Sequence, residues 1–135
     1  MKTSDLSRAC LRAYVDKSRA AAEALIAPDF RFTSPLDNGL DRAAYFAHCW
    51  PGSAAMRAAE VIEAVDDGDR AFVVYEVVTE VKRFRNCELH RARDGRLVAV
   101  EVFFGWELPH PAPAGGFIEQ QQGPPEPAVT RAASP

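Results

Sequence analysis

Residues 30–50, FRFTSPLDNGLDRAAYFAHCW, decide the fold. Phe30–Thr33 reads as a short strand that Ser34-Pro35 stops, and Asp37-Asn38-Gly39 has the composition of a turn. Asp41 is placed to cap a helix carrying Tyr45, His48, Cys49 and Trp50, and Pro51-Gly52 ends it. Upstream, Ser4 can cap a helix whose buried stripe is Leu6, Cys10, Ala13 and Tyr14. A second, Ala-rich helix is expected from Arg19 to Ala27, with Pro28 as its stop. Downstream the pattern turns to β: Arg57–Val65, a turn over Asp66–Asp69, Ala71–Val81, Phe84–Ala92 and Arg96–Trp106. Helices followed by sheet in this order predict an α+β domain, three helices on a curved, mostly antiparallel sheet that surrounds a pocket.

The 135 residues suit one domain, and 47% hydrophobic composition is that of a globular core. Residues 1–118 are expected to form the pocket domain and 119–135 a Pro/Gln-rich flexible tail. Seven of the ten prolines lie from Glu107 onward, together with Gln120-Gln121-Gln122. Phe117 and Ile118 are expected to dock an apolar patch on the domain. A net charge of −3 argues against nucleic acid as a partner, because phosphate binding needs a concentrated basic face. Cys10, Cys49 and Cys87 sit on different elements without metal-ligand spacing, so reduced thiols and no metal site are expected. No signal-peptide core or membrane-length apolar run is visible, which predicts a cytoplasmic protein without membrane contact.

The hairpin after Phe84 decides which polar residues share a pocket. If Asp94-Gly95 form a two-residue turn, Arg93 faces Arg96 and Glu88 falls opposite Glu101, a like-charge pair. If Arg93-Asp94-Gly95 make a type I turn with Gly95 in a bulge, Ala92 faces Arg96 and Glu88 faces Val100. The second register is favoured. It puts Asn86, Glu88 and His90 on one face with Val100, Val102 and Phe104, an apolar cavity holding a few polar groups. Glu88 could there donate a hydrogen bond or act as acid or base, or the three polar residues could simply satisfy one another. His48 is a candidate general base at the pocket mouth, Tyr45 and Trp50 candidate walls, and Glu76 a further pocket carboxylate. Ala71–Val81 is apolar on both faces, which suggests helices on one side and a second subunit on the other, a homodimer through the sheet.

The segments ALIAPDFRFTSPLDNGLDRAAYFAHCWP (24–51), FRNCELHRARDGRLVAVEVFFGW (84–106) and PHPAPAGGF (109–117) resemble the nuclear transport factor 2-like superfamily. Within it, the chain is similar to the SnoaL-like, polyketide-cyclase-like and ketosteroid-isomerase-like bacterial proteins, over roughly residues 4–118. The resemblance implies a cone-shaped half-barrel with an apolar pocket at one end, and commonly a dimer. In ketosteroid isomerases a helical Tyr and a neutral strand acid hold the enolate oxygen, while an Asp before a Pro moves the proton. Tyr14 matches the Tyr and Glu88 falls near the acid. Ser34 occupies the base position, and serine cannot do that work unaided.

These readings converge on a pocket for a hydrophobic ligand bearing a carbonyl or hydroxyl group. Tyr14, Glu88 and His48 are the candidate catalytic residues of a cofactor-free isomerase, cyclase or dehydratase. Ser34, Tyr45, Trp50, Glu76, Asn86, His90, Val100, Val102 and Phe104 are the candidate ligand contacts. The alternative is a non-catalytic ligand carrier or dimerising interaction module.

Overall fold

A computed structural model of the chain describes residues 1–121. Helix α1 (Thr3–Val15) and helix α2 (Arg19–Leu25) lead into strand β1 (Ile26–Ser34) and a short strand β2 (Asp37–Leu40). Helix α3 (Arg42–His48) and a 3-10 turn (Trp50–Ala55) precede the long strands β3 (Met56–Asp67), β4 (Arg70–Thr79), β5 (Arg83–Arg93) and β6 (Arg96–Leu108). A last helix, α4, covers Gly116–Gln121. The tail expected over 119–135 starts inside α4, and its residues from 122 onward lie outside the described residues. The six strands form one sheet in the order β2-β1-β6-β5-β4-β3, antiparallel except where β1 runs parallel to β6. With helices packed on one face, this is the expected α+β architecture.

Two apolar clusters carry the domain. One joins Leu6 and Ala13 of α1, Ala22 of α2, Ile26, Phe30 and Phe32 of β1, Tyr45 and Phe46 of α3, and Leu97, Val100 and Val102 of β6. The other is the inner face of β4, Ala71, Val73, Tyr75 and Val77, packed by Leu11, Met56, Val61 and Phe84. The alternation of β4 accounts for this, since odd positions face the helices and even ones the other side.

Local chemistry explains where the elements begin and end, and where they depart from expectation. Asp41 caps α3 as expected, its Oδ1 accepting the Ala44 amide at 2.8 Å. Ser4 does not cap α1, which starts one residue earlier. Its amide and hydroxyl instead donate to Asp66 of β3 at 2.8 and 2.5 Å, and those bonds hold the Asp66 carboxyl below its ordinary range. Helix α2 stops at Leu25 rather than Ala27, because Ile26 and Ala27 are buried as the start of β1 and Ile26 pairs with Leu97. Pro28 lies in the irregular stretch between the Ile26–Leu97 and Arg31–Ala99 pairs, where its missing N–H breaks no ladder. The turn expected at Asp37-Asn38-Gly39 falls earlier, at Pro35-Leu36, with the Leu36 amide donating to Ser34 Oγ at 3.1 Å. Asp37–Leu40 pairs with β1 as an edge strand. Phe117 and Ile118 are 71% and 57% exposed, so the docking expected of them is not seen.

The β5–β6 hairpin takes neither register as first drawn. Asp94 and Gly95 both have positive φ, 53° and 74°, and form a two-residue turn with Arg93 opposite Arg96. An extra residue, Val98, is then accommodated between the Ala92–Leu97 and Arg91–Ala99 pairs, and this bulge shifts all later pairing by one. Glu88 thereby meets Val102 instead of Glu101 or Val100, while Asn86, Glu88 and His90 keep the face shared with Val100, Val102 and Phe104. The carboxylate clash is avoided by a bulge in the strand rather than by the turn.

A second bulge sits at Gly105, between the Asn86–Phe104 and Arg85–Trp106 pairs. A Cβ built on Gly105 would lie 2.0 Å from the Arg85 carbonyl oxygen, which leaves no room for a side chain against fixed backbone. Gly105→Ala is expected to cost about 1–3 kcal/mol or more of unfolding free energy by urea denaturation. Gly52→Ala, whose added Cβ meets nothing within 4 Å, should stay within about 0.5 kcal/mol of the parent.

Candidate functional site

Between the two apolar clusters lies a cavity of about 220 Å³. A larger cleft of about 690 Å³ beside Pro28, Asp29, Arg31 and Arg42 is shallow and open to solvent, without the walls a ligand site needs. Helix α1 gives the inner cavity Ser7, Cys10, Leu11 and Tyr14, the i, i+3, i+4, i+7 face of one helix. Tyr45 and Cys49 come from α3 and its C-cap, and Phe32 from β1. The sheet supplies Tyr75 and Val77 from β4, Phe84, Asn86, Glu88 and His90 from β5, and Val100, Val102 and Phe104 from β6. Met56 completes the lining, which includes no Lys or Arg.

Two hydrogen-bonded groups stand among these apolar walls. The Tyr14 and Tyr45 hydroxyls meet at 2.6 Å. Burial drives both well above the ordinary phenol value of 10.0, so both remain O–H groups. The second group centres on Glu88, whose side chain is 15% exposed. Its Oε1 faces His90 Nε2 at 2.8 Å, and Oε2 accepts the Tyr75 hydroxyl. His90 Nδ1 meets Ser7 Oγ at 2.5 Å, and Asn86 Nδ2 donates to the Tyr75 oxygen at 3.4 Å. Burial, then the neighbouring Glu88, pushes the Tyr75 hydroxyl up as well. Among the described residues every buried side-chain nitrogen and oxygen has a partner, so these polar groups avoid the roughly 1–3 kcal/mol that each unpaired group would cost.

Of the residues singled out from sequence, the cavity gathers Tyr14, Tyr45, Asn86, Glu88, His90, Val100, Val102 and Phe104. It does not gather His48, Ser34, Trp50 or Glu76. His48 is exposed on the last turn of α3. Ser34 ends β1, its hydroxyl taken by the Pro35-Leu36 turn. Trp50 stands behind the wall, its ring edge-on to Tyr14 with centroids 4.9 Å apart. Glu76 points to the opposite sheet face. There Arg83 and Arg85 each pair with one of its carboxylate oxygens, and together they hold its carboxyl below 4.5. Ser7, Tyr75, Cys10 and Cys49 were not anticipated as lining. Tyr75 was findable from the alternation of β4, and Ser7 from its place one turn before Cys10 and two before Tyr14.

Residues 7–100 match the SnoaL-like domain family, and the chain belongs to it. Solved structures share the fold. A Kribbella flavida protein provisionally named a ketosteroid isomerase is 20% identical, with a TM-score of 0.66 over 93% of this chain and 90% of its own. A protein of Sinorhizobium meliloti, provisionally named a polyketide cyclase, is 22% identical, with a TM-score of 0.63 over 73% of this chain and 94% of its own. A nuclear transport factor 2-like protein of unknown function from Cytophaga hutchinsonii is 18% identical, with a TM-score of 0.64 over 78% and 91%. At these identities the likeness concerns the fold. No curated protein matches the chain by sequence. Among the described residues no helix is long and apolar enough to cross a membrane.

The cavity thiols provide a check on its burial. Desolvation pushes Cys10 to about 12 and Cys49 to about 11, from an ordinary 9.0. At pH 8 Cys49 should react with iodoacetamide on the order of a hundredfold, and Cys10 on the order of a thousandfold, more slowly in the folded protein than in the urea-unfolded chain, because only the thiolate attacks. Peptide mapping after timed alkylation measures this, and equal rates would contradict the enclosed cavity.

Proposed function

We propose that this protein binds a small hydrophobic molecule bearing a carbonyl or hydroxyl group and moves a proton on it without a cofactor, as an isomerase, cyclase or dehydratase would. One observation carries the reading: Glu88 lines a mainly apolar cavity without Lys or Arg in its lining, in company with the Tyr14–Tyr45 hydroxyl pair. Phenols held as O–H groups suit stabilisation of a developing oxyanion, and a carboxyl group suits proton transfer. In this assignment Tyr14 is the hydrogen-bond donor and Glu88 the acid/base, while His48 has no part because it is exposed outside the cavity. A volume below the roughly 300–1,000 Å³ of drug-sized sites favours a ligand of one or two rings.

A carrier without catalysis is the second reading, favoured by the absence of an acidic side chain at Ser34. The two separate in one experiment with 2-tetralone in D2O, followed by proton NMR. Binding with accelerated exchange of the protons α to the carbonyl is expected, and Glu88→Gln should slow that exchange by about 10²–10⁴-fold while the ketone still binds. Binding without exchange supports the carrier. Equal affinity for tetralone and its parent hydrocarbon tetralin would remove polar recognition from both readings.

We also infer that two copies pair through the sheet face opposite the helices. Val65, Phe72, Phe103 and Trp106 are 57%, 49%, 48% and 49% exposed on strands of this sheet, and an apolar patch is self-complementary across a two-fold axis. Sedimentation velocity should give a dimer for the parent and a monomer for the double variant Phe72→Glu, Phe103→Glu. A monomeric parent at tens of micromolar overturns the pairing.

A further inference from the structure

The polar groups around Glu88 form one continuous chain anchored on backbone at both ends. At the sheet end the Gly105 amide donates to Asn86 Oδ1 at 3.1 Å. An amide N–H can only donate, so Asn86 presents its Nδ2 to the Tyr75 oxygen at 3.4 Å. Having accepted there, Tyr75 spends its own proton on Glu88 Oε2. At the helix end the Thr3 carbonyl can only accept, and it takes the Ser7 hydroxyl at 3.2 Å. Ser7 Oγ therefore has only lone pairs left for His90 Nδ1, 2.5 Å away, and Nδ1 must carry a hydrogen. The two halves converge on the 2.8 Å contact between Glu88 Oε1 and His90 Nε2.

We propose that this chain is a polarised proton relay in which Ser7 fixes His90 with its hydrogen on Nδ1. A single exchangeable proton is thereby left between Glu88 Oε1 and His90 Nε2. The relay rests on the acid/base reading of Glu88 and gives that reading its partner. His90 and Ser7 are positioning residues, acting on the transferred proton through the carboxyl group. When a bound ligand delivers a proton to Glu88 Oε2, the proton shared at Oε1 passes fully to Nε2. The ligand keeps the electron pair of the broken bond and the positive charge ends on His90. Every hydrogen bond of the chain persists through this transfer: Nδ1–H still donates to Ser7, Nε2–H to Oε1, and Ser7 to Thr3. Returning the proton reverses each movement. The continuity matters because His90 is 3% exposed, and a buried imidazolium needs both N–H groups bonded.

The test is the imidazole 15N NMR spectrum of the uniformly labelled full chain without ligand, with His90 assigned by its loss in His90→Gln. A directly bonded hydrogen on Nδ1 is expected in the parent and in Ser7→Thr, and its loss or exchange broadening in Ser7→Ala. A parent spectrum with hydrogen on Nε2 and none on Nδ1 overturns the proposal, even if Ser7→Ala does not fold. So does an unchanged His90 signature in folded Ser7→Ala. Because no ligand is present, failure of the relay is distinguishable from failure of tetralone binding or exchange.

Discussion

The site depends on the register between β5 and β6. In an antiparallel ladder a slip of one residue turns every side chain to the other face. Here the tight Asp94-Gly95 turn alone would set Glu88 against Glu101, and the bulge at Val98 corrects the count so that Glu88 meets Val102. With that correction Asn86, Glu88 and His90 all point into the domain and face aliphatic or aromatic partners. Without it, β5 would still be held by its ladder to β4, and β6 would turn its alternate residues inward, setting Glu101 against Glu88 inside the cavity.

Helix α1 must be held at a matching height for the ladder to be useful. Its first turn is bonded to the β3–β4 hairpin: Ser4 to the Asp66 carboxylate, and the Thr3 hydroxyl to the Gly68 carbonyl at 3.1 Å. This anchorage lies one turn from Ser7 and so sets where the helix meets His90. Farther along, Arg42 donates to the Glu23 and Ile26 carbonyls, closing the end of α2 against α3. The cavity is thus framed by a helix pinned at its N-terminus and a helix pair pinned by one guanidinium.

Much of this was legible in the chain. The Val, Phe and Tyr content of residues 71–81 and the hairpin over 84–106 located the strands, Asp41 marked its helix, and the shared face of Asn86, Glu88 and His90 followed from parity. The turn at Pro35-Leu36 was hidden because Asp37-Asn38-Gly39 carries stronger turn chemistry, yet the edge pairing of Leu40 with Phe32 prevails. The early end of α2 was hidden for a similar reason, since burial of Ile26 against β6 outweighs helix propensity. Glu76 looked like a pocket carboxylate because its neighbours are apolar, but parity with Phe72 and Val74 assigns it to the arginine-bearing face. Ser7 shares the Cys10–Tyr14 face of its helix, but nothing in the chain named its partner. That partner became visible only when a long-range contact brought the serine to a histidine 83 positions away.

The bulge at Gly105 also changes what the final strand does. Before it, Phe104 belongs to the cavity rim opposite Asn86; after it, Trp106 pairs with Arg85 and has crossed to the other side of the sheet. One residue without a side chain lets a single strand furnish two surfaces, each ending in an aromatic ring. The same glycine amide holds the Asn86 carboxamide, so the crossing point is also the outermost link of the cavity's polar chain. A shift of the backbone here is therefore felt on both sides at once, and the interior and exterior of the domain share a mechanical fulcrum.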